Sequence, residues 1–205
     1  MKLIVISSPA PVAGEPQRIN QLFEAGLEHF HVRKPDYPKE QLRKLLSQID
    51  AVHSPKIALH QHHVLAGEFG LNRLHFTEQS RSITPLAKFT TLKSDGYQLS
   101  TSVHSTEALQ QLPSCFSYTF FGPVFNSISK PGYTADIPAN FCLTAAEKAV
   151  PVIALGGIDA GNISLVPKMH FDGAAVLGSI WNQPEQAVSN FIRTKEKCQI
   201  LAHTY

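Results

Sequence analysis

Eight short apolar runs, most of them separated by amphipathic segments, constrain this chain more than any other feature. Strands are predicted at "KLIVISS" (2–8), "HFHVRK" (29–34), "KIALH" (56–60), "RLHFT" (73–77), "YQLSTSV" (97–103), "YTFFGPV" (118–124), "PVIALGG" (151–157) and "GAAVLGS" (173–179). Helical periodicity falls between most of them, over 16–26, 38–49, 62–70, 105–112, 139–149 and 162–170, with a last helix over 184–202. Between 78 and 96 the pattern is poor, so a degenerate or missing helix is expected there. Apolar strands that alternate with helices imply a parallel sheet joined by right-handed crossovers. A doubly wound sheet would also satisfy the alternation. Eight repeats of one unit favour closure into a (β/α)8 TIM barrel, at the short end of its length range.

The chain has 205 residues, enough for one domain spanning 1–205 with a full-sized core. A formal charge of +2 gives no argument for nucleic acid or an anionic membrane. The run "MKLIVISSP" is too short to span a bilayer or serve as a secretion signal. Cys115, Cys142 and Cys198 are an odd number without CxxC spacing, which supports neither a disulfide framework nor a zinc ribbon. A reducing cytoplasm is the default location, and the partner to look for is a small molecule.

In a barrel the chemistry lies at the C-terminal ends of the strands. Alternation in "FHVR" puts His31 and Arg33 on one side, and an inward guanidinium asks for an anion. "STSVHSTEAL" carries Ser102 and then His104 just beyond the fifth strand, where a general acid or base would stand. Ser105 or Thr106 can cap the following helix. After the sixth strand, "GPVFNSISK" offers Asn126, Ser127, Ser129 and Lys130, a set suited to an anionic ligand. Gly156 and Gly157 end the seventh strand, and Gly178 and Ser179 end the eighth. Side-chain-poor ends on adjacent strands leave backbone N–H groups free to hold a phosphate.

"LHQHHVL" (59–65) invites a metal reading. It makes a weak zinc site, because His60 ends a strand while His62 and His63 are neighbours that point apart. No metal ligand is assigned.

The pieces "HVRK", "STSVHSTEAL", "FFGPVFNSISKPGY", "VIALGGI" and "AAVLGSIW", in this order, resemble the family of thiamine-phosphate synthase and its sister, the thiazole tautomerase. The resemblance covers nearly the whole chain. It implies a (β/α)8 barrel that holds a thiazole phosphate through the Ser127–Lys130 loop, Gly157 and the Gly178–Ser179 backbone. The synthase couples a pyrimidine diphosphate to the thiazole phosphate and expels pyrophosphate with magnesium. Its Gln-x-Arg-x-x-Lys-like pattern reads His31, Arg33, Pro35 here, with Lys34 one place out of step. Its Asn-Asp pair falls on His60 and Gln61, and its further Asp near Ser80, with Glu78 the nearby acid. "HQHH" therefore reads as a lost magnesium site. The tautomerase branch resembles this chain in histidines at His31 and His60 and in "SVHS", and its acid/base residue maps onto His104. That branch implies a metal-independent proton shift with no cofactor, Arg33 binding the substrate carboxylate. Tautomerase is the first expectation and synthase, with magnesium, the second. The third is a non-catalytic binder of thiazole or thiamine phosphates. A homo-oligomer is compatible with all three.

Overall fold

In a computed structural model the described residues are 1–126, 137–138 and 140–202, with side chains described to residue 198. Eight parallel strands close into a barrel in chain order: β1 (Lys2–Ile6), β2 (Phe30–Val32), β3 (Ile57–Leu59), β4 (Arg73–Phe76), β5 (Gln98–Val103), β6 (Phe116–Phe121), β7 (Val152–Leu155) and β8 (Gly173–Val176). β8 pairs with β1 from Lys2↔Gly173 to Val5↔Val176, which leaves no open edge. The barrel expectation holds, and the doubly wound sheet is excluded.

The outer face of the barrel packs on helices α1 (Glu15–Glu24), α2 (Lys39–Leu46), α3 (Leu65–Glu68), α4 (Glu78–Ile83), α5 (Leu86–Ser94), α6 (Thr106–Gln110), α7 (Gly178–Trp181) and α8 (Ala187–Ala202). In α1 the buried residues Ile19, Leu22 and Phe23 recur at helical spacing, and the Phe23 ring meets that of Phe30 of β2 edge-on. Each such side chain contributes about 1.5–3 kcal/mol on burial. A second, smaller apolar cluster lies inside the barrel, built from Ile4, Ile6, Tyr118, Phe120, Ile153 and Ala175. Apolar residues do not fill that interior alone: His31, His75 and Ser100 are buried as well.

Four expectations about helices need correction. The stretch 78–96 holds two helices. Thr77 caps α4 by accepting from the Ser80 amide at 3.1 Å, and Arg81 ties α4 to β5 through Thr101 Oγ1 and the Ser102 carbonyl. Pro85 then breaks the chain between α4 and α5, and Phe89 of α5 packs on Phe76 and Phe116. Weak periodicity here reflects anchoring by caps and one aromatic rather than by an apolar stripe. Over 139–149 the described residues hold a single 3-10 turn, Ala145–Glu147, closed by a Thr144–Glu147 capping box. Over 162–170 Pro167, which has no N–H to donate, opens a second 3-10 turn (Pro167–Met169) after Ile163–Leu165. The helix expected over 184–202 begins as a turn, Pro184–Gln186, before α8.

Candidate active site

The C-terminal ends of the strands open on a cavity of about 550 Å³, within the range of small-ligand sites. Arg33, His60, His75, Glu78, Ser102 and His104 line its polar side, and Gly156, Gly157 and Gly178 its glycine rim. Two glycines are required by shape. A Cβ on Gly122 would collide with the Leu155 carbonyl, and one on Gly157 (φ +64°) with the backbone carbonyls of Phe125 and Asn126. These contacts draw the β6 and β7 ends together and leave the rim backbone bare.

Arg33 follows β2 and is held by its backbone: its amide donates to Ser7 Oγ at 2.8 Å, and Ser7 donates back to its carbonyl at 3.1 Å. Its guanidinium lines the cavity with no side-chain partner among the described residues, an arrangement suited to an anionic ligand. Lys34 turns the other way. Its ammonium lies buried against Glu15 Oε2 at 2.5 Å, so the lysine of the family pattern is absent from the cavity.

His104 lies beyond β5 as expected, but it does have a structural contact. Its Nδ1 donates to the Gly122 carbonyl at 2.6 Å, which leaves Nε2 as the basic nitrogen. That Nε2 lies 3.8 Å from Glu78 Oε2, on the first turn of α4. Glu78 is the only acid lining the cavity among the described residues. Ser105 caps α6 by accepting from the Ala108 amide, leaving Thr106 outside that role.

The histidine-rich stretch divides in two. His62 donates to the Tyr37 carbonyl, and His63 lies within reach of the carbonyls of Leu59 and His75, so both serve the backbone. His60 instead faces the cavity with His75 of β4, next to the buried His31 of β2, and donor atoms of the three imidazoles lie within 4.8 Å of one another. His31 Nδ1 meets His60 Nε2 at 2.9 Å, and the His60 and His75 rings stack at 3.9 Å. His75 Nδ1 and Nε2 reach Ser100 Oγ and Ser102 Oγ at 3.0 and 3.1 Å. The sequence reading assigned no metal ligand and passed over His75. This group has the donors to hold a metal ion. Alternation in "RLHFT", which sends His75 inward between Leu74 and Phe76, was the available signal.

Burial holds the three imidazoles neutral. It pushes His75 down to about 3 and His31 and His60 well below the usual histidine range, and neighbouring histidines add to the effect on those two. Unfolded, each takes a proton near pH 6.5. In metal-free protein, unfolding therefore takes up protons below pH 6.5, and stability falls as the pH drops toward 3. Denaturation midpoints followed from pH 6 to pH 4.5 should show His75→Gln reducing that slope by about 1.4 kcal/mol per pH unit, one proton's worth. An unchanged slope would mean that His75 is protonated in the native state.

Of the remaining expected contacts, Gly178 lines the cavity, and Ser179 Oγ is buried without a hydrogen-bond partner among the described residues. Asn126 ends the described part of its loop, beside Gly157, whereas Ser127, Ser129 and Lys130 lie outside the described residues. No helix among the described residues is long and apolar enough to cross a membrane.

Solved structures of similar fold include thiamine phosphate pyrophosphorylase from Bacteroides thetaiotaomicron (TM-score 0.75, 24% identity, 98% of both chains). The enzyme of the same name from Pyrococcus furiosus gives a TM-score of 0.73 at 16% identity, over 98% of this chain and 96% of that one. At these identities the likeness concerns the fold. Among curated proteins, thiamine-phosphate synthase of Lysinibacillus sphaericus is 30% identical over 132 residues, 62% of this chain and 60% of that protein. The Wolinella succinogenes synthase is 36% identical over 66 residues, 32% of this chain and 30% of that protein. The aligned parts thus span between about a third and three fifths of these relatives. The sequence model of thiamine monophosphate synthase reaches further, matching residues 3–180, from β1 into α7 and so across every strand that builds the cavity. On that match the chain belongs to the thiamine monophosphate synthase family.

Proposed function

We propose that this chain acts on a thiazole phosphate bound at the mouth of the barrel, and that its reaction is the synthase's condensation with a pyrimidine diphosphate. The observation that carries this reading is the family match across the whole barrel, together with curated relatives that are all named thiamine-phosphate synthase. It was the second expectation from sequence, and the comparisons favour it over the first. In this reading the glycine rim and the loop beginning at Asn126 hold the phosphate, Ser127, Ser129 and Lys130 included. Arg33 meets the second anion.

The residues present do not fit magnesium, which the family implies. Gln61 stands where the family's Asp is expected, with His60 in place of its Asn, and Gln61 donates its amide to the Lys34 carbonyl. Glu78 is the single carboxylate lining the cavity among the described residues, too few oxygen anions for a hard cation.

A second reading has its own observation. The His104–Glu78 pair, with the tautomer set by Gly122, is built to move a proton, which supports the tautomerase. One assay separates the two. Incubated with both synthase substrates and magnesium, the protein should form thiamine phosphate and pyrophosphate in equal amounts. No product, together with isomerisation of the thiazole carboxylate phosphate by the same preparation, would reverse the order of the readings.

A further inference from the structure

We propose that His31, His60 and His75 bind one divalent transition-metal ion of the zinc class at the floor of the cavity, leaving a coordination position open toward it. This site differs from the magnesium site of the family in its ligands and in its metal, although His60 falls on a position of the family's Asn-Asp pair, and it does not depend on which reaction the cavity runs.

The ligand set comes from three adjacent strand ends. His31 lies on β2, His60 directly follows β3, and His75 lies on β4. The β2–β3 and β3–β4 pairings fix these backbones side by side. Three imidazoles and one open position form a known composition for catalytic zinc. Nitrogen donors of this softness suit zinc, cobalt, nickel or copper and not magnesium.

The outer contacts also match a metal site. His31 Nε2 lies 2.5 Å from Tyr118 Oη. His75 Nδ1 lies 3.0 Å from Ser100 Oγ. If each imidazole donates outward through these nitrogens, His31 Nδ1 presents its lone pair to His60, while the His75 Nε2 lone pair faces the cavity beside Ser102 Oγ, a hydroxyl at 3.1 Å that an ion would displace. Outward partners of this kind ordinarily fix the tautomer and ring plane of a metal-bound histidine. The 2.9 Å contact between His31 Nδ1 and His60 Nε2 needs one proton in the metal-free state. Moving that proton to His60 Nδ1 frees both nitrogens, so binding needs a tautomer change at His60 and no net proton loss. Tetrahedral zinc places ligand nitrogens about 3.3 Å apart, with Zn–N near 2.0–2.1 Å. The donors, now within 4.8 Å of one another, close on the ion by a ring movement of His60, the least buried of the three. His60 and His75 line the cavity, so the fourth position faces its contents. Phe120, whose ring centroid lies 4.8 Å from that of His31 and 5.1 Å from that of His75, supplies an apolar wall.

The test uses the whole chain, stripped with EDTA and titrated with zinc or cobalt alone. Wild type should bind one ion per chain, and cobalt should give the visible bands of a four- or five-coordinate site. Millimolar magnesium should displace neither. His60→Asn and His75→Gln should abolish stoichiometric binding. Ser100→Ala, which removes only an outer partner, should weaken it by about tenfold to a hundredfold. His62→Gln, a histidine in the same stretch, should leave it unchanged. Circular dichroism checks that each variant is folded. Should His75→Gln fail to fold, the wild-type cobalt spectrum and Ser100→Ala still decide. Absence of stoichiometric binding in wild type would overturn the proposal. So would binding that survives His60→Asn and is lost in His62→Gln.

Discussion

Replacing Lys34 by methionine will lower the unfolding free energy by about 3–5 kcal/mol, because it strands a buried carboxylate. Lys34 and Glu15 have side chains 0% and 2% exposed, with the ammonium 2.5 Å from Oε2. The ammonium also donates to the Ala10 carbonyl at 3.0 Å, whereas Glu15 Oε1 has no partner among the described residues. Burial is the largest influence on both groups. It raises the Glu15 carboxyl and lowers the Lys34 ammonium, against the opposite pull of the partner. Each group is therefore displaced toward its neutral form, the sign that desolvation outweighs attraction. Such a pair adds little net stability while intact and costs much when half is removed. The double variant Lys34→Met, Glu15→Leu should recover most of the loss. Urea denaturation of wild type, both single variants and the double variant completes the cycle. A double variant as unstable as Lys34→Met would mean that the pair's attraction, and not its desolvation, governs. The pair joins the first residue of α1 to the residues after β2 and so supports the backbone beside Arg33, which makes it part of the site's frame.

The direction of Lys34 was not legible in the sequence, and the reason is local. Alternation assigns faces only while the strand lasts, and β2 ends at Val32. Beyond it the Tyr37 amide bonds to the Lys34 carbonyl in a turn, and a nearby carboxylate decides where the ammonium goes. His31 and Arg33 were legible because one is in the strand and the other continues its line. The same logic recovers all eight strands and fails for the helices expected over 139–149 and 162–170, where the described segments on either side of β7 are 3-10 turns. The first rests on a capping box and the last opens on a proline, neither of which an apolar stripe would reveal. The histidine group needed a step that a strand-by-strand reading omits. His31, His60 and His75 are unremarkable singly, and only the neighbouring order of β2, β3 and β4 brings them together. The pairing of His104 with Glu78 has the same origin: β4 and β5 are adjacent, so residues just past their ends share one rim.

His104→Asn should slow any proton shift by about a hundredfold or more while leaving the fold intact. Asparagine can still donate an N–H to the Gly122 carbonyl, the contact His104 Nδ1 makes at 2.6 Å, but it offers no basic nitrogen in place of Nε2. Wild type and variant should therefore melt alike and bind a thiazole phosphate alike, and differ only in turnover. In deuterated solvent, wild type should place deuterium on the exocyclic carbon of the product, because the proton passes through an exchangeable imidazole. Glu78→Gln should have a smaller effect, since at 3.8 Å the carboxylate orients the imidazole without replacing it. Condensation, which needs no such base in the proposed arrangement, should be nearly unaffected by either change. The variant thus assigns the histidine to one chemistry or to neither. Isomerisation at the wild-type rate in His104→Asn would reduce the residue to its bond with Gly122. Absence of isomerisation in wild type would remove the tautomerase reading and leave His104 and Glu78 as walls of a condensation site.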